Sequence, residues 1–237
     1  MRSCIIFLKG CVVLTYEEVC EKFNEIMSFL EKESYESVFN EIQKTVVRRE
    51  QATGGACMRR GYYCPSLVMD IILGNVNRGR LIKRLGNKKI NYTYGFDDIG
   101  RLVTIIEHTE VGDFFEYIIH DGDVQYGVQY HHYRWSGKEY LYLISKCCYE
   151  GNKLKSYEKY LYRDDEKAFS EYQGEFYHYS KDCLEYERIF ALRGMGHSLP
   201  INEITRYKFK IENGFLVNFT GNSGNTYPVR LKRKIPE

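Results

Sequence analysis

Near residue 88 the apolar residues change their spacing, and this change constrains the fold more than any other feature of the chain. Before it, apolar side chains recur at about every third or fourth position; after it, they alternate. Period 3.6 places residues on one side of a helix, whereas period 2 places them on one face of a strand. After residue 88 the alternating runs are separated by short turn signals. These include Asp121-Gly122, Gly151-Asn152 and Asn213-Gly214, which supply the positive φ that tight hairpins need. Strands joined by such short turns are antiparallel neighbours. Eleven strands are expected, starting at "KINYTY", "RLVTIIEH" and "DFFEYIIH" and ending at "FLVNF" and "TYPVRLKRKI".

The N-terminal part reads as helical. Thr15 and Glu18 form a capping box. Behind them Val19, Phe23, Ile26, Met27 and Leu30 define a helix over 16–32. Ser34 caps a second, with Tyr35, Val38, Phe39, Ile42 and Val46 as its apolar stripe, fading near Arg49. Pro65 opens a third with Leu67, Val68, Ile71 and Ile72 inward, and residues 78–86 supply one or two further turns. Helices first and strands after is the α+β pattern. The expectation is a helical region over 1–87 and an antiparallel β-meander over 88–237, curved or partly closed and packed as one domain. Tyr140, Tyr142 and Ile144 are expected on one face of their strand, with Leu141, Leu143 and Cys147 on the other. A loss of phase near His131-His132 suggests a bulge there.

Composition narrows the functional classes. The 237 residues include 22 Tyr against 13 Phe and one Trp. Tyrosine suits half-buried strand positions, and it also provides contact area at low entropy cost. Net charge is +2 but unevenly placed. Residues 1–43 hold four Lys/Arg against eight Asp/Glu, residues 44–89 eleven against two, and residues 90–237 nineteen against twenty-two. The basic block includes Arg59, Arg60, Arg78, Arg80, Lys83 and Arg84. With tyrosines nearby it offers a nucleic-acid surface, since cations track phosphates and rings stack on bases. A pI near 8.0 argues against that reading.

Eight cysteines without any C-x-x-C read as reduced thiols and argue against structural zinc. The apolar run before Lys9 is about five residues, shorter than the ~7–15 of a secretory leader, so a cytoplasmic location is expected. No run reaches the ~20 apolar residues of a membrane span.

Catalytic signals are sparse. His120, Asp121 and Asp123 bring an imidazole and two carboxylates together, as in a metal site or a hydrolase, but Asp121-Gly122 is first a hairpin turn. His131 and His132 point to opposite faces of a strand. The glycine-rich stretch 193–200 lacks the lysine of a phosphate loop. Cys147 and Cys148 have no histidine in obvious partnership, and no G-x-S-x-G occurs. No catalytic residue, metal or cofactor is therefore expected.

In "NYTYGFDDIGRLVTI" (91–105), Tyr92, Tyr94, Asp97, Gly100 and Leu102 resemble the YD repeat, the β-hairpin unit of Rhs-type bacterial toxin proteins. Asp97 comes two or three positions later than in that family's pattern. The resemblance covers about fifteen residues and implies hairpin geometry rather than a role. In general appearance, a Tyr-rich meander without a catalytic motif resembles immunity proteins of polymorphic toxin systems. That resemblance implies a non-enzymatic protein that binds a cognate toxin domain and blocks it. Tyr126, Tyr130, Tyr133, Trp135, Tyr140, Tyr142, Tyr160 and Tyr162 would be its aromatic contacts, with Asp121 and Asp123 facing a basic toxin groove. A nucleic-acid binder using 44–89 is the alternative, and a hydrolase using His120, Asp121 and Asp123 a third. Exposed edge strands invite self-pairing, so the chain is expected as a monomer or dimer.

Overall fold

The computed structural model describes residues 34–74, 76–84, 86–132, 137–163, 168–192 and 201–236, with three isolated helical positions, Glu21, Asn24 and Ser28. Apart from these three, the helix expected over 16–32 lies outside the described residues, as do Tyr133, Trp135 and the stretch 193–200.

The expected second helix forms over Tyr35–Lys44, and the Ser34 hydroxyl accepts the Ser37 N–H as its N-cap at 3.1 Å. Phe39 is buried, with Tyr35, Val38 and Ile42 packed around it. Lys44 in the last turn suits the negative end of the helix dipole. The helix stops short of Arg49, because β1 (Arg48–Thr53) claims the next residues.

The region read as helix and loop over 44–89 holds two strands, β1 and β2 (Arg80–Leu81), which pair antiparallel. Between them run 3-10 turns at Cys57–Arg59 and Gly61–Tyr63 and a single helical turn at Met69–Ile72. The long third helix and the extra turns over 78–86 are therefore corrected. Their apolar residues point into the core without a continuous helix beneath them. Val68 and Met69 are buried, and Leu67, Ile71 and Ile72 pack beside them.

The eleven expected strands are β3 (Tyr92–Phe96), β4 (Leu102–His108), β5 (Asp113–Asp121), β6 (Val124–His132), β7 (Glu139–Glu150), β8 (Lys153–Arg163), β9 (Ala168–Tyr179), β10 (Cys183–Leu192), β11 (Ile201–Glu212), β12 (Phe215–Gly221) and β13 (Thr226–Lys234). With β1 and β2 they make, among the described residues, thirteen strands in one antiparallel sheet, where about eleven were expected. Its order is β13 through β3 in sequence, then β1, then β2. The sheet does not close; β2 and β13 are its edges.

The hairpin of β3 and β4 turns through Asp97 to Arg101. Gly100 N–H donates to the Asp97 carbonyl at 3.1 Å, with Gly100 at φ 83° as the turn requires. The Asp97 carboxylate accepts from the Arg101 backbone N–H at 2.7 Å and from its Nε at 2.8 Å. Burial pushes the Asp97 carboxyl up, but these bonds and the Arg101 charge outweigh it and hold the group below the usual carboxylate range.

Two layers cover the sheet. The Tyr35–Lys44 helix seats Phe39 among Tyr117, Val128, Tyr130, Leu141, Ile144, Tyr160 and Tyr172. The long β1–β2 connection brings Cys57, Cys64, Val68 and Met69 against Cys147, Tyr157, Tyr177, Tyr186 and Phe209. Registry slips once between them. Leu143 pairs with Gln129 and Leu141 with Tyr130, so Tyr142 is the extra residue of a bulge. A one-residue slip exchanges faces. Leu141 therefore joins Ile144 in the helix-side core, contrary to the alternation expected for β7.

The connection is fastened to the sheet by a buried ion pair. Arg60 Nε donates to both Glu116 carboxylate oxygens, at 2.9 and 3.1 Å, and its terminal nitrogen donates to Ser145 Oγ at 2.8 Å. Both side chains are nearly inaccessible, at 3% and 1%. Residue 127 must be glycine for this contact, since a Cβ there would meet the Arg60 guanidinium at 2.1 Å and the Glu116 carboxylate at 2.3 Å. A second tie joins Ser66 and the Leu67 N–H to the Tyr177 hydroxyl, which donates to buried Glu175. Burial raises the Glu175 carboxyl, against the opposing pull of the Ser66 and Tyr177 hydrogen bonds and of Lys159 and Arg188.

Candidate functional site

The two sheet edges come together at a cleft of about 890 Å³, lined from the β1–β2 hairpin, its connection and β13. A volume of this size lies within the range of ligand sites. Asp70, in the single helical turn, is a buried residue of the cleft lining. Arg78 Nε donates to Asp70 Oδ2 at 3.1 Å. Arg233 of β13 donates to the same oxygen. The remaining Arg78 nitrogens bond the carbonyls of Cys64 and Ser66, which makes Arg78 a brace between hairpin and helical turn.

Arg233 is less well matched. Its Nε is buried and meets no acceptor among the described residues. Burial, then the neighbouring Arg78 charge, pull its guanidinium below the ordinary range, while Asp70 pulls the other way. Arg80 adds a third cation to the lining and is exposed. Three guanidinium groups and one carboxylate thus line the cleft, and the half-open walls add Tyr62 and Leu231 as apolar surface.

Among the described residues, those expected to bind a partner do not form one surface. Tyr130 and Tyr160 are buried at 1% and 0%, and Tyr126 and Tyr162 pack against the same helix-side core. Tyr130 and Tyr160 are thus core rings with almost no accessible surface. Tyr140 stacks on His131 with centroids 5.8 Å apart. Tyr142 meets Phe114 edge-on at 5.0 Å and lies beneath Arg59 at 4.6 Å. These two rings are half-buried. Asp121 and Asp123 are exposed at the β5–β6 turn.

The basic block is divided too. Arg60 and Arg78 are internal ties. Arg59 pairs with Glu107 at 3.3 Å and covers Phe114 and Tyr142. Arg80, Lys83 and Arg84 are exposed. In place of the helical turns expected over 78–86, the described residues there hold β2.

The groups considered for catalysis have structural partners. His120 Nε2 lies 2.9 Å from the Leu102 carbonyl, away from any pairing with Asp121 and Asp123. Burial pushes the Cys147 thiol up to about 12, so it is protonated at neutral pH. Glu36, His132 and Glu139 have ligand-capable atoms within 4.8 Å of one another, a grouping that no sequence spacing could reveal. Glu139 Oε1 accepts the Glu36 N–H at 3.3 Å, which anchors the helix start to β7.

Sequence reading missed the cleft because its parts lie far apart in the chain. Asp70 and Arg233 are separated by 163 residues, and only folding makes them partners. The one local signal was the density of arginine in 44–89. Comparison of the chain with family models, curated proteins and solved structures finds no match. Among the described residues no helix is long and apolar enough to cross a membrane.

Proposed function

We propose that the chain is a non-enzymatic binding protein that holds a protein partner, in the manner of an immunity protein neutralising a cognate toxin domain. The observation that supports this best is the cleft between the sheet edges, with three arginines, one carboxylate and two accessible apolar side chains. Mixed charge and apolar surface around a recess is what a protein contact uses. The adjoining edge strand β13 has one hydrogen-bonded neighbour and presents Tyr227 and Leu231, both about half exposed. Its Arg230 and Lys234 are exposed cations of the kind that discourage indiscriminate edge pairing. Of the sequence-expected contacts, Tyr140, Tyr142, Asp121 and Asp123 retain some accessible surface and belong to other parts of the molecule.

Capture from a native cell lysate, with and without nuclease, tests the reading. A single stoichiometric protein that survives nuclease is the expected result. Recovery of nucleic acid with many associated proteins, lost on nuclease treatment, would overturn it in favour of the basic residues. That second reading draws on Arg80, Lys83 and Arg84, which are exposed along the β2 side. It requires affinity to fall steeply between low and moderate salt.

A further inference from the structure

We propose that the cleft between β2 and β13 takes a carboxylate-bearing, acidic segment of the partner; this deepens the protein-binding reading and rests on it. The charge count carries the argument. Asp70 balances one of the three arginines in the lining, which leaves a surplus of two positive charges in a half-open recess. A surplus of this kind raises the local concentration of anions and favours their binding.

The three arginines differ in what they have left to give. Arg78 spends its nitrogens on Asp70 and two backbone carbonyls. It sets the walls and carries charge, but it is not the ligand's donor. Arg233 shares Asp70 Oδ2 with Arg78 and keeps a buried Nε without an acceptor. Arg80 makes no ion pair among the described residues and stands exposed at the wall. A guanidinium presents its donors as a planar fork that fits the two oxygens of a carboxylate. Arg80 offers such a fork to an acidic side chain of the segment, and Arg233, held by Asp70 and with its Nε buried, adds positive charge beside it.

The lining favours a peptide over a nucleic acid. The Asp70 carboxylate, held by Arg78 and Arg233, repels the dense charge of a phosphate backbone more than single carboxylates. Tyr62 and Leu231 add an accessible ring and an aliphatic side chain beside the cations. Those suit the apolar side chains between acidic residues in a protein segment.

The experiment is a fluorescence-anisotropy titration of the full chain with a labelled peptide of Asp-Glu-Leu repeats. The same peptide with Asn and Gln in place of the acids serves as one control. A single-stranded oligonucleotide of equal charge serves as the other. The acidic peptide is expected to bind and the neutral one not. Arg80→Gln is expected to weaken binding about five- to tenfold, the scale of one charge-assisted contact in a partly desolvated site. Lys181→Gln makes the same charge change at the exposed β9–β10 turn and is expected to leave binding unchanged. The proposal is overturned if Arg80→Gln binds like the parent, if the neutral peptide binds equally, or if the oligonucleotide binds more tightly and loses that binding in Arg80→Gln. Lysate capture separates the two levels. A partner held equally by parent and Arg80→Gln would remove the cleft assignment and leave the binding-protein reading. A parent chain that captures no protein would remove that reading itself.

Discussion

The meander from β3 to β13 and the stretch from β1 to β2 are built on opposite principles. In the meander each strand pairs with its sequence neighbours, so the information that places it is local. Between β1 and β2 almost every placing contact is distant. Arg60 reaches Glu116, Ser66 reaches Tyr177, and Asp70 reaches Arg233. The meander supplies the frame, and a few polar ties decide where the connection lies upon it. The cleft forms where the two kinds of structure meet. A binding site made of long-range contacts is thus set into a fold made mostly of short-range ones.

The sharpest way to break this comparison is to cut a tie. Arg60→Ala leaves the Glu116 charge buried without a partner, and a loss of about 3–5 kcal/mol is expected by urea unfolding. A loss below about 1 kcal/mol would mean that the apolar cluster of Cys57, Val68 and Met69 holds the connection alone. Gly127→Ala forces a methyl group against the same ion pair and is expected to cost about 1–3 kcal/mol, through strain rather than lost charge. A neutral result there would show that the pair has room to move.

The meander's own local contacts should cost less to remove. Asp97→Asn weakens the carboxylate bonds to Arg101 in the β3–β4 turn, with an expected loss of about 1–2 kcal/mol at pH 7. The pH dependence follows from the depressed Asp97 group. Its contribution is present above the unfolded value of about 3.9 and disappears as pH falls through the lower folded value. Parent and Asp97→Asn should therefore converge in stability as pH falls through the depressed folded value of Asp97. A difference that persists there would assign the effect to turn geometry and not to charge. The smallest effect is expected for Arg80→Gln, within about 0.5 kcal/mol in stability, because its side chain is exposed. Arg60 and Arg80 belong to one basic block in the sequence, yet one should govern folding and the other only binding.

Much of the frame was readable from the chain because alternation and turn residues are local. Asp121-Gly122 and Asn213-Gly214 mark hairpins that the structure contains. Ser34 and the Phe39 stripe mark the described helix. β1 and β2 were not readable, since "RREQAT" has no alternating apolar face and β2 is two residues long. β1 pairs with the edge that β3 offers, and β2 with the edge that β1 then offers. The Tyr142 bulge was placed near His131-His132, close to its position, but its effect on the faces of β7 depends on pairing with β6. Which tyrosines are buried was not readable for a related reason. A tyrosine in an alternating strand looks the same in sequence whether a helix or solvent lies above it. Tyr130 and Tyr160 lie beneath the Tyr35–Lys44 helix and its neighbours.

The most direct test of the claim that distant polar ties place the connection is a double-mutant cycle on Arg60 and Glu116, read by urea unfolding of Arg60→Met, Glu116→Leu and the pair together. The account expects each single change to be strongly destabilising and the double change much less so, with a coupling of about 2 kcal/mol or more. Single effects that add to the double within about 0.5 kcal/mol would contradict it.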